Sequence, residues 1–142
     1  MDSRATLMSA AVSILAAILY LYMSIRVGQM RGKTGIKAPA MTGAPDFERA
    51  VRVHYNTLEA LPIFLIGLWL ATIYFSPSYS AVAWLPALVG LIWVIGRLIY
   101  MQGYMAAPEK RGTGFGIQAL AAIVNLVLAI VGIVTVWMAM TA

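Results

Sequence analysis

Charge is absent from long stretches of this chain, and that absence limits its fold more than any other feature. Residues 5–25, between Arg4 and Arg26, are 21 consecutive neutral positions. Residues 60–75 are 16 more, residues 81–105 hold Arg97 as their single charge, and residues 115–140 hold none. An α-helix needs about 20 mainly apolar residues to cross the hydrocarbon of a bilayer, at about 1.5 Å of rise each. The pattern therefore predicts an all-α membrane protein, a single domain over residues 1–142 with spans at about 5–27, 45–75, 81–105 and 115–140. The first run is longer than the apolar core of a signal peptide and no small-residue cleavage site follows it, so it is read as a retained span.

Composition removes several function classes. Hydrophobic residues make up 62% of the chain and charged ones 11%, unlike a disordered or ordinary soluble protein. There is no cysteine, hence no protein thiol nucleophile, disulfide framework or thiolate metal site. With one histidine, His54, no metal centre is expected. The net charge of +5 is not read as a nucleic-acid signal. Six of the ten basic residues, Arg26, Arg31, Lys33, Lys37, Arg49 and Arg52, lie in or beside one connection. Loops rich in Lys and Arg stay in the cytoplasm, and they also face anionic headgroups of membrane lipids.

The second of the spans begins with a dense polar stretch. Pro45 and Asp46 suit a helix start, because proline tolerates the first turn and acids favour the positive end of the helix dipole. From there Glu48, Arg49, Arg52, Asn56 and Glu59 fall within an arc of about 100° at helical spacing, while Ala50, Val51, Thr57 and Leu58 lie opposite. Counting back from a helix break expected at Ser76-Pro77-Ser78, the neutral run is too short to span alone, so Asn56 and Glu59 sit near the headgroup level. A charged stripe at that depth costs several kcal/mol against lipid, so it is expected to face the bundle interior and to mark a site. Pro62 is expected to bend this helix.

The connection at 26–45 holds Gly28, Gly32, Gly35, Pro39, Gly43 and Pro45, which argues against a long helix through its middle, although Arg31 and Lys33 suit a C-terminal extension of the first helix. In the third span Trp93, Arg97, Tyr100 and Tyr104 share one narrow face, with Pro86 in the first turns. Residues 106–114 form a second polar connection with Lys110 and Arg111, and Gln118 and Asn125 share a face of the last helix. Ala, Gly and Ser throughout favour close helix contacts in lipid. Four spans put both basic connections on one side, cytoplasmic by their charge, and both termini on the other. The polar start of the second span and the polar end of the third then meet at one depth.

Arg31, Arg49, Arg52, Asn56, Glu59, Arg97, Tyr100, Tyr104, Arg111 and Gln118 would gather there. Arginine forks pair with carboxylates, Glu59 receives an ammonium, and the Asn56 and Gln118 amides match peptide groups. The set suits a small peptide with two carboxylates and one amine. Glutathione has that form and brings the thiol this chain lacks. A cation such as Arg111 would stabilise its thiolate.

The run Glu48-Arg49-Ala50-Val51-Arg52-Val53-His54-Tyr55-Asn56-Thr57-Leu58-Glu59 resembles the signature of the MAPEG family, membrane-associated proteins in eicosanoid and glutathione metabolism. Gly96-Arg97-Leu98-Ile99-Tyr100-Met101-Gln102-Gly103-Tyr104 is similar to the third-helix motif of its leukotriene C4 synthase and microsomal glutathione transferase members. The resemblance covers nearly the whole chain. It implies a homotrimer of four-helix subunits with glutathione between neighbours near the cytoplasmic face. It also implies glutathione contacts from Arg31, Arg52, Asn56, Glu59, Tyr100, Tyr104 and Gln118, and thiolate activation by Arg111, seven residues after Tyr104. The expected activity is glutathione transfer to a lipophilic electrophile, or reduction of a lipid hydroperoxide. Three departures stand out. Arg111 is followed by Gly112 where prostaglandin E synthase-like members have serine, Tyr100 stands where those isomerases have histidine, and Phe115 stands near a tyrosine of relatives. The first two count against an isomerase of that kind.

Other readings compete. Arg49 can simply pair with Asp46 or Glu48, Arg52, Asn56 and Glu59 can form a polar zipper between subunits, and Tyr100 and Tyr104 can be interfacial aromatics. His54 lies off the polar arc. Arg111 alone reads as a topology signal. A non-catalytic lipid-binding or scaffold protein would keep the bundle without binding glutathione. A transporter or channel subunit would need charges along a path across the membrane, whereas the polar groups here gather at one face.

Overall fold

The computed structural model describes residues 3–142. Its four long helices are α1 (Ser3–Thr34), α2 (Pro45–Leu70), α3 (Leu85–Ala106) and α4 (Gly112–Thr141), and they pack as one bundle. Each belongs to a segment long and apolar enough to cross a membrane. The basic connections 35–44 and 107–111 lie at one end of the bundle, and the connection between α2 and α3 lies at the other.

Two helix ends differ from expectation. Helix α1 runs on to Thr34 instead of ending near Val27, passing through Gly28 and Gly32. A helical glycine costs up to about 1 kcal/mol against alanine, which two isolated ones do not make prohibitive. Arg31 and Lys33 occupy the last turn, where cations suit the dipole, and Gly35 at φ +70° ends the helix in the left-handed region that glycine adopts freely. Helix α2 is not broken at Ser76. It widens into a π-helical turn, Ala71–Phe75, and closes with one α-turn, Ser76–Ser78. A 3₁₀ turn, Ser80–Val82, then leads to α3, whose Pro86 occupies the first turn. Pro62 lies inside α2 without interrupting it.

The core follows from which faces are small and apolar. Val12 and Ala16 of α1, Phe64 and Leu68 of α2, Trp93 of α3 and Ala121 of α4 form the central cluster. Phe64 and Trp93 stack with ring centroids 4.0 Å apart. Interhelical hydrogen bonds add to packing where lipid gives little hydrophobic drive. The Ser9 and Thr72 hydroxyls lie 2.7 Å apart, and Trp69 Nε1 donates to Ser13 Oγ at 3.2 Å, fastening α1 to α2 away from the basic end.

Helices α3 and α4 meet backbone to backbone. A Cβ placed on Gly114 would lie 2.1 Å from the Tyr100 nitrogen, and one on Gly96 would lie 2.8 Å from the Gln118 nitrogen. Those two contacts set the spacing at which side chains from α3 reach α4. Gly114→Ala must push the helices apart and is expected to cost about 1–3 kcal/mol, as overpacking does. Gly116→Ala, where an added Cβ meets nothing within 4 Å, is expected to hold or raise stability. Thermal unfolding of both variants in detergent checks this, and equal midpoints would refute it.

Candidate functional site

Near the basic end, Arg97 lies 1% exposed at the meeting of α2, α3 and α4. Its Nε donates to Thr57 Oγ1 at 2.9 Å and its Nη1 donates to Gln118 Oε1 at 2.9 Å. The guanidinium carbon lies 4.2 Å from the centre of the Tyr100 ring, within cation–π range. Its Nη2 is buried without a partner among the described residues. A buried cation with a spare donor is poised to take an acceptor.

Four side chains surround this group on the flank of the bundle. Asn56 Nδ2 donates to the Tyr100 hydroxyl at 2.6 Å, which leaves that hydroxyl's own proton to donate elsewhere. Asn56, Glu59, Arg97, Tyr100 and Gln118, with Ala60 and Phe115, line one open cleft of about 260 Å³. Five of the sequence-selected residues therefore share one cleft, carrying a carboxylate, two amides, a phenol and a guanidinium. An apolar groove of about 230 Å³ adjoins it through the shared walls Ala60 and Gln118, and continues along Ile63, Ala122, Ile123 and Leu126.

From Tyr100 a ladder of rings leads outward. The Tyr104 ring centre lies 5.7 Å from that of Tyr100, and the Arg111 guanidinium carbon lies 5.4 Å from the Tyr104 ring. The order is cation, ring, ring, cation. Exposed Arg111 is thus held over Tyr104, beside a shallow pocket that it lines with Pro108, Glu109 and Gly112.

The remaining candidates lie apart. Arg52 is exposed and lines a separate groove with Met41, Glu48, Val51 and Tyr55. The Arg31 guanidinium sits 4.7 Å from the Phe47 ring centre, and its Nη2 contacts Met41 Sδ at 3.4 Å. Arg49 pairs with Asp46, the one ion pair among the described residues. Among the described residues no three His, Cys, Asp or Glu side chains converge.

The facing of α2 corrects the expectation that its charged arc points into the bundle. Ala50, Val51, Val53 and Thr57 are buried, whereas Arg52 and Glu59 are exposed and Asn56 is half-buried. Small, apolar side chains let α1 and α3 approach closely, so the charged arc is displaced to the flank, where the cleft opens. Sequence reasoning consequently missed Thr57, placing it on the inert side. It is instead the acceptor for Arg97, and its own Oγ1–H has two acceptors in reach, Val53 O at 2.7 Å and Met23 Sδ at 3.0 Å. The signal that locates it is spacing: Thr57 lies four residues after Val53 and seven after Ala50, on the stripe a helix packs with.

Comparison with known proteins gives a family match. The MAPEG family profile covers residues 9–131. An uncharacterised protein of Synechocystis sp. is 44% identical over 124 residues, 87% of this chain and 86% of its own. Microsomal glutathione S-transferase 2 of Homo sapiens is 41% identical over 119 residues, 81% and 77% of the two chains. Leukotriene C4 synthase of Cavia porcellus is 34% identical over 124 residues, 87% and 79%.

Thr57→Val keeps the volume but leaves the Arg97 Nε–H buried without an acceptor, a loss of about 1–3 kcal/mol. A lowered unfolding midpoint in detergent is the expected result; an unchanged midpoint would mean that Thr57 does not hold the guanidinium.

Proposed function

The chain belongs to the MAPEG family, an all-α integral membrane protein that crosses the bilayer several times, and on that footing we propose that it is a glutathione transferase. The observation that carries the reading is the flank cleft that Glu59, Asn56, Gln118, Tyr100 and Arg97 line together. Each group matches part of glutathione: Glu59 its ammonium, Asn56 and Gln118 its peptide groups, and Arg97 a carboxylate. Relatives named as a glutathione S-transferase and a leukotriene C4 synthase support the same assignment.

Arg31, Arg52, Tyr104 and Arg111 complete this site. Arg31 and Arg52 lie outside the cleft of their own chain, with guanidinium groups that pair with no carboxylate among the described residues. A homotrimer would bring such residues against the cleft of a neighbouring copy, where they would hold a second carboxylate. Arg111 stabilises the thiolate, standing where the tyrosine ladder leads. The thiol loses its proton to solvent, the sulfur bonds to the electrophilic carbon of a lipophilic acceptor, and the leaving group departs with the displaced electron pair. With a lipid hydroperoxide the thiolate instead attacks the terminal oxygen and the O–O bond breaks, releasing the alcohol; a second glutathione resolves the sulfenic product to the disulfide. The acceptor enters from the bilayer along the apolar groove that adjoins the cleft. The basic connections are cytoplasmic and the termini opposite, by their charge.

The decisive experiment combines calorimetric titration of glutathione with turnover of an aryl halide. Arg111→Ala is expected to lower kcat about 10²–10³-fold, as loss of one donor to a developing anion does, while glutathione still binds. Unchanged turnover would overturn the role of Arg111. No glutathione binding by the native chain would overturn the transferase reading and favour a lipid-binding scaffold. Ala122→Leu, in the groove, is expected to raise KM for a lipophilic acceptor several-fold with glutathione affinity retained; equal effects on both would show that the groove is not the acceptor seat.

A further inference from the structure

A second cavity opens at the basic end inside the bundle, between α1, α2 and α3, on the other side of Tyr100 from the cleft. It has a volume of about 190 Å³. Its floor is apolar and closed: Met23, Val53 and Met101 are each less than a tenth exposed, and they pack with Tyr100 in one cluster. Its mouth is polar: Arg26 and Gln102 stand at the rim with the half-buried Met105. Among the described residues the Arg26 guanidinium makes one weak hydrogen bond, Nη1 to Gln29 Oε1 at 3.3 Å, and no ion pair. Among the described residues no carboxylate lines the cavity.

We propose that this cavity is a binding site for a small amphiphile with a carboxylate head, such as a medium-chain fatty acid. The chemistry runs in one direction from mouth to floor. Arg26 takes a carboxylate through its fork, with the Gln102 amide as a second donor. The thioethers of Met105, Met101 and Met23 are polarisable and conform to a flexible chain. Three thioethers would also suit a soft metal ion, but a cation at the mouth and no anionic ligand oppose one. Drug-sized ligands fill about 300–1,000 Å³. This cavity is smaller, which fits one short acyl chain and rejects a two-chain phospholipid. The site shares no lining residue with the glutathione cleft, so it stands whether or not the chain is a transferase.

The test uses the full chain in phosphatidylcholine nanodiscs and carboxyl-labelled octanoate, with binding measured by equilibrium dialysis above the uptake of empty discs. Saturable binding at one per chain is expected. Arg26→Gln should weaken it about tenfold or more, the scale of one lost charge-assisted contact. Met105→Trp should fill the mouth and abolish it, and octanol should bind far more weakly than octanoate. Octanoate binding unaffected by both substitutions, or no saturable binding at millimolar octanoate, would overturn the proposal. Loss of octanoate binding in discs of phosphatidylglycerol would overturn it too, by assigning the cavity to a lipid headgroup.

Discussion

The basic end of the bundle depends on one buried guanidinium. Placing Arg97 among three helices removes a charge from water, a cost of several kcal/mol that only good geometry offsets. The structure supplies that geometry from all three helices, Thr57 from α2, Gln118 from α4 and the Tyr100 ring from α3 itself, and leaves Nη2 as the spare donor. Satisfying the cation therefore fixes the helices that carry its partners. It also fixes Tyr100, whose hydroxyl Asn56 holds from α2. The cleft is a by-product of this arrangement, since four of its polar walls are members of the same network.

The network has a steric precondition. Arg97 can reach Gln118 because Gly96, its neighbour in the chain, lets α3 lie against the backbone of α4, and Gly114 does the same against Tyr100. Close backbone approach shortens the distance between helices, and a long side chain then lies across the contact instead of outward into lipid. Electrostatics and packing thus act on the same few residues. That explains how a chain with so few charges can keep one of them dry.

Much of this was legible in the sequence. Neutral runs of helical length specify four spans by counting alone, and the Trp93, Arg97, Tyr100 face of α3 is buried as its spacing implies. Gln118 and Asn125 share a buried face of α4 for the same reason. Less legible was the facing of α2. A polar arc from Glu48 to Glu59 looks like an inward stripe when the only alternatives are lipid and core, yet a flank that opens at the headgroup level satisfies it as well. Thr57 escaped notice because a threonine on an apolar stripe carries no charge to advertise it. The extension of α1 through Gly28 and Gly32 turns on local terms too small to read in advance, and the persistence of α2 past Ser76 on packing of its widened turn against Gly132.

The π-helical turn at Ala71–Phe75 is an α-helix with one residue in excess, closed by the Ser76 amide reaching back to the Ala71 carbonyl. Each residue advances an α-helix by about 100°, so the surplus resets the phase of everything beyond it. Gly132 of α4 lies against the widened turn, where a Cβ would sit 2.3 Å from the Phe75 nitrogen. Length and neighbour are thereby coupled. A homologue one residue shorter in this turn would have a regular helix there, a different azimuth for Ser76 and Tyr79, and no further need of glycine on the facing helix. Insertions and deletions at this point should accompany changes at position 132, an indel signature that a gap-free view of the family would not reveal.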